Sequence, residues 1–197
     1  MKFSYKTILI ALFAVVLFVP ADKLIAQSEL IVEWEAEDGT VKVNALRDAI
    51  AADTDRPEDR IYVLRKGGFY WFSETVINDG WHLRIIGEDP NPSDVFGNPA
   101  VLQLVSRDDG STPEKLIQAS GSVTLKNLYI AGANESGGQG AYQPVQFDAS
   151  GVDYTFDNCI FERSNFAMIA VTGQNNNILI TNCTFRNLIG HPSDQQW

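Results

Sequence analysis

The chain has 197 residues, with 15 Lys and Arg against 25 Asp and Glu, two His, two Cys and 45% hydrophobic residues. A formal charge of −10 repels nucleic acid and anionic membrane surfaces and argues against both as partners. Two cysteines make no disulfide framework at this size, and His82 and His191 leave little for a zinc site or a Ser-His-Asp triad.

In chain order, residues 1–26 read as a signal peptide. Lys2 and Lys6 precede an unbroken apolar run, Ile8 to Val19, which is too short to span a bilayer. Small residues follow at Ala21 and Ala26; cleavage is expected after Ala26, with Ala21 the alternative. The remainder carries 12 basic against 24 acidic side chains. It is expected to be secreted or held at the cell surface, monomeric and without a membrane span.

Residues 27–59 form an N-terminal segment ending in a helix. In "NALRDAIAAD" (44–53), Ala45, Leu46, Ala49 and Ile50 share one helical face, and Asn44 is placed to cap it. Residues 60–197 read as β structure. "RIYVLRKGGFYWF" (60–72) alternates around Val63 and breaks at Gly67 and Gly68, and "WHLRIIGED" (81–89) and "AVLQLVS" (100–106) are further strands. Between them, Pro90 and Pro92 mark "GEDPNPSD" (87–94) as a turn, with Glu88, Asp89 and Asp94 as carboxylates for calcium.

One phrase is then written three times: "VTLKNLYIAG" (123–132), "YTFDNCIFERS" (154–164) and "ILITNCTFRNL" (178–188). Leu125, Phe156 and Ile180 align, then Asn127, Asn158 and Asn182, then Ile130, Phe161 and Phe185. Each copy follows a short apolar run ending in a small residue and Gly: "LIQASG" (116–121), "VQFDASG" (145–151) and "MIAVTG" (168–173). Such a unit of short β segments cannot cover its own apolar face, so it must stack on its neighbours, each strand pairing in parallel with its own copy. The spacing predicts an all-β, right-handed parallel β-helix with an N-terminal capping helix over its open end. The repeated Asn suits a left-handed corner, and stacked amides can form a structural ladder of Asn127, Asn158 and Asn182. Cys159 and Cys183 fall on equivalent positions, where parallel side chains favour free thiols over a disulfide.

The stretches "ALRDAIAAD", "IYVLRKGGFYWF" and "HLRIIGED", with the repeats around Asn158 and Asn182, resemble the pectate lyase-like superfamily, nearest in texture to its chondroitinase B and alginate lyase branch. The resemblance covers residues 40 to 190. It implies calcium-assisted β-elimination of an acidic polysaccharide, a Lys or Arg pair removing the C5 proton and neutralising the uronate.

In that superfamily substrate lies across the outer face of the strands preceding the Asn corner. With Ile117, Ala119, Val145, Phe147, Ala149, Ile169 and Val171 inward, alternation turns outward Leu116, Gln118 and Ser120, then Gln146, Asp148 and Ser150, then Met168, Ala170 and Thr172. Gln118, Gln146 and Asp148 are thus candidates for binding polysaccharide, joined by Tyr142 from the Gly-rich loop "AGANESGGQGAYQP" (131–144). The face holds no base. Arg163 and Arg186 are the catalytic candidates, and Asp148 and Glu162 the candidate Ca2+ ligands. "LIGHPSDQQW" (188–197) ends a coil without a cap, so later coils are expected in a longer protein. Two readings stand: a polysaccharide-binding or polysaccharide-degrading enzyme, or a non-catalytic adhesion module.

Overall fold

A computed structural model describes residues 28–90, 97–137, 141–164 and 166–188. The expected signal peptide, Asp94, His191 and the uncapped end lie outside the described residues. Strand β1 (Glu29–Val32) is followed by helix α1 (Ala45–Ala52) and five windings of short strands. The first winding is β2 (Ile61–Leu64) and β3 (Phe69–Phe72); the second is β4 (Val76–Asn78), β5 (Leu83–Gly87) and β6 (Ala100–Leu104). Then come β7 (Ile117–Ala119), β8 (Val123–Lys126) and β9 (Leu128–Asn134); β10 (Val145–Phe147), β11 (Asp153–Asp157) and β12 (Ile160–Glu162); and β13 (Ile169–Val171), β14 (Asn177–Thr181) and β15 (Thr184–Arg186).

Like strands pair along the axis. Sheet one runs β1-β2-β5-β8-β11-β14, sheet two β15-β12-β9-β6-β3 and sheet three β13-β10-β7-β4. Every strand pair is parallel, and the windings form a right-handed parallel β-helix. Register puts inward side chains into columns: Ile85, Leu125, Phe156 and Ile180 on sheet one, and Tyr70, Leu102, Ile130, Phe161 and Phe185 on sheet two. Phe161 and Phe185 stack with ring centres 4.8 Å apart. Each such side chain, fully buried, contributes about 1.5–3 kcal/mol, so the columns and not any single strand stabilise the fold.

The corner between sheets one and two is occupied by Asn127, Asn158 and Asn182, at φ 56°, 52° and 54°. Asn158 Nδ2 donates to Asn127 Oδ1 at 2.8 Å, and Asn127 Nδ2 donates to Asp89 Oδ1 and to the Gly87 carbonyl. Asn182 donates instead to Asp157 Oδ1 at 3.1 Å, so a carboxylate forms the upper rung. Below the column stands Gly87, where a Cβ would lie 2.3 Å from the Asn127 carbonyl oxygen; only Gly lets this corner close.

Two local expectations are corrected. Asn44 precedes α1 but its side chain does not cap it: at φ 64° its backbone is left-handed, whereas a capping side chain needs an extended backbone. Its amide instead accepts from the Ser73 and Glu74 N–H groups and donates to Ser73 Oγ. The helix buries Leu46 and Ile50 in the end of the core, while the edge of sheet one is covered by β1, which pairs with β2. Leu116 and Met168 are buried and not outward, because they precede the first residues of β7 and β13 and so fall outside the strand alternation. Cys159 and Cys183 are free thiols, and burial pushes the Cys159 thiol up to about 12.

Candidate functional site

Two polar surfaces lie on the outside of the solenoid. The first follows sheet three. Gln118 and Gln146 are paired in register, and both side-chain amides converge on Asp148, at 2.7 and 2.6 Å. Thr172, one winding on, donates its hydroxyl to Asp148 Oδ1 at 2.9 Å. Burial pushes the Asp148 carboxyl up, but these three donors and the Lys115 charge outweigh it and hold the carboxyl below its ordinary value. Lys115 Nζ reaches Gln118 Oε1 at 3.4 Å. Asp148 is thus a fixed anion in an amide frame, without the freedom of a proton-transfer base.

Tyr142 stands two residues before Pro144, which leads into β10. Its ring stacks on Phe166, the equivalent lead into β13, with centres 4.8 Å apart and planes within 5°. Both rings are about half exposed, at 47% and 50%. The expected lone aromatic is a two-ring platform, with one Tyr142 face already covered.

The second surface is a cleft of about 290 Å3 on sheet two. Its cause is a bulge: Gln103 pairs with Ala131, but the next residue, Leu104, pairs with Asn134, so Gly132 and Ala133 are extra in β9. Gln103, Tyr129, Ala131, Ala133, Asn134, Glu135, Gly137, Glu162 and Arg163 line the cleft. Glu162 is opposite Arg186 in register and takes an ion pair from its guanidinium at 2.9 Å. It also accepts short hydrogen bonds from Tyr129 Oη and Asn187 Nδ2. Burial raises the Glu162 carboxyl, but Tyr129, Asn187 and Arg186 together pull it below the usual carboxylate range. Burial and the adjacent Glu162 push the Tyr129 phenol up, so it stays protonated as the donor.

The structure therefore brings Gln118, Gln146 and Asp148 together, and separately gathers Glu162, Arg163 and Arg186. The two arginines differ. Arg186 lies in β15 and is ion-paired, whereas Arg163 follows β12, is exposed, and makes no ion pair among the described residues. Asp148 is held by amides and a hydroxyl, and Glu162, which shares its cleft with Glu135, has a guanidinium beside it. Among the described residues no three His, Cys, Asp or Glu side chains cluster as metal ligands. Glu88 is ion-paired with Arg65, and Asp89 serves Asn127. Gln103, Tyr129 and Glu135 went unnoticed in the sequence. Outward alternation after Asn127 marks Tyr129, but nothing in the local pattern announces the bulge.

No family model and no curated protein sequence matches the chain. Among solved structures it is similar to a PL6 family alginate lyase, AlyGC, with a TM-score of 0.56 and 17% identity. The match covers 83% of this chain and 20% of that one, so this chain spans about a fifth of the lyase's length. At that identity the likeness establishes the fold alone, a parallel β-helix. Among the described residues no helix is long and apolar enough to cross a membrane.

Proposed function

We propose that this is a secreted or surface-located β-helix protein that binds extracellular polysaccharide along sheet three, with acidic glycans as the preferred class. The observation that carries the reading is the strip formed by Gln118, Gln146, Asp148 and Thr172. Amide, carboxylate and hydroxyl groups repeat there at the spacing of successive windings, beside an exposed aromatic platform. Amides and hydroxyls match sugar hydroxyls, and aromatic rings match the apolar face of a pyranose. Likeness of fold to an alginate lyase supports β-elimination as the chemistry.

A second reading, a non-catalytic adhesion module, has its own support: the outward residues of sheet three among the described residues include no base, and Asp148 is fully engaged. One experiment separates the two. The chain is incubated with alginate, pectin and chondroitin, with and without calcium, following the ultraviolet absorbance of the unsaturated product and retention in polysaccharide-loaded gels. Retention with an absorbance rise supports the lyase, and retention alone the adhesion module. No retention on any of the three polymers removes both. Asp148→Ala should weaken retention about tenfold, because it removes the acceptor that orders both glutamines.

A further inference from the structure

Sheet two carries its own anomaly, at the corner following β12. Equivalent positions on the neighbouring windings are Gly132 and Asn187, and Asn187 is left-handed at φ 51°. Arg163 shares that conformation, φ 58°, although its long aliphatic stem gains nothing from it. A long side chain held in a left-handed backbone is unfavourable and persists only where the surroundings impose it. Gly132 makes room for it: the Arg163 carbonyl oxygen lies 1.7 Å from where a Gly132 Cβ would be. The same bulge leaves small residues, Ala131 and Ala133, as the floor of the cleft, and the Arg163 guanidinium comes to rest over Gly137 at its rim.

The charges divide unevenly. Glu162 is neutralised locally by Arg186, so the Arg163 cation is not cancelled by it. Glu135 adds a carboxylate to the lining, its Oε2 taking the Ser106 N–H at 3.0 Å, so a ligand's own carboxylate is directed to the Arg163 end and its hydroxyls to Glu135. Gln103 supplies an amide from the opposite strand. About 290 Å3 lies at the small end of ligand pockets, room for one sugar ring. A lining that joins one cation to hydroxyl-binding acceptors suits a molecule with both a carboxylate and hydroxyls.

We propose that the cleft binds a single carboxylate-bearing sugar unit, its carboxylate on the Arg163 guanidinium and its hydroxyls on Gln103 and Glu135. This rests on the polysaccharide reading above and adds to it a subsite on a different sheet. It would hold a chain end or a side branch while the polymer lies on sheet three.

The test is arginine modification by phenylglyoxal, mapped by peptide mass spectrometry on the unaltered chain. A uronic acid trisaccharide is expected to slow modification of Arg163 at least tenfold, and to do the same in Asp148→Ala. Sodium acetate at equal concentration and the carboxyl-reduced trisaccharide should give no protection. Unchanged modification with the uronate overturns the proposal. So does equal protection by the reduced sugar, which would show the carboxylate to be irrelevant, or by acetate, which would show the sugar to be irrelevant. Arg163→Asn, whose side chain tolerates the left-handed backbone, should weaken trisaccharide binding at least tenfold in calorimetry while gel retention of the polymer persists. Polymer retention without Arg163 protection sinks the cleft and leaves the polysaccharide reading standing; loss of retention by the unaltered chain sinks both.

Discussion

Asn127 does two things at one position, and substitution separates them. Its backbone is left-handed, and its buried amide joins Asn158 above to Gly87 and Asp89 below. Asn127→Gly keeps the backbone but removes the amide, and should cost about 1–3 kcal/mol from stranded partners. Asn127→Ala should cost about 1–2 kcal/mol more, the penalty of a left-handed Cβ; urea unfolding of both variants measures the difference. Glu162 makes a pH-dependent contribution. Its folded carboxyl lies below its unfolded value, so the unfolded chain binds the extra proton as pH falls. The stabilisation is therefore complete above an unfolded value of about 4.3 and is lost as pH drops through the folded one. Glu162→Gln should lose about 2 kcal/mol at neutral pH and converge on the unaltered chain in acid, read from urea midpoints across that range.

Single elements show how neighbouring windings constrain one another. Strand β9 can bulge only because Gly132 lets the Arg163 carbonyl approach. Gly132→Ala should destabilise by about 3 kcal/mol, the upper range for overpacking, since backbone and not a flexible side chain blocks the new methyl. Thermal unfolding checks the loss, and reduced Arg163 protection checks the accompanying collapse of the cleft. Helix α1 is anchored at its end by Asp53, which accepts from Arg60 Nε at 2.7 Å and from Tyr62 Oη at 3.1 Å. Both charged side chains are largely shielded, 8% and 15% exposed. Asp53→Ala strands Arg60 and should cost about 3 kcal/mol. Hydrogen exchange should show the amides of α1 opening before those of β2.

At the scale of the molecule, the last described winding is the weak face. Ile178 and Ile180 continue the inward columns of Tyr154 and Phe156, yet they are 50% and 47% exposed. Within the described residues, β14 pairs on one side only. An apolar column and an unpaired strand edge on the same face recruit other chains. Where this face is left open, the chain should self-associate with rising concentration. Ile178→Lys with Ile180→Lys should suppress this, as measured by light scattering.

What could be read in the sequence is what depends on repetition. Asn127, Asn158 and Asn182 recur because each winding must turn the same corner, and the residues aligned with Ile85 recur because each winding must cover the last. Stacking writes itself into the chain as periodicity. Asn44, Leu116 and Met168 escaped because their environments depend on backbone conformation and on where a strand starts, which alternation does not specify. The cleft escaped for a stronger reason. It exists because Gly132 yields to a carbonyl 31 residues later and β9 changes register against β6. A contact between windings leaves no local pattern, so only the tertiary structure could decide where Arg163 stands.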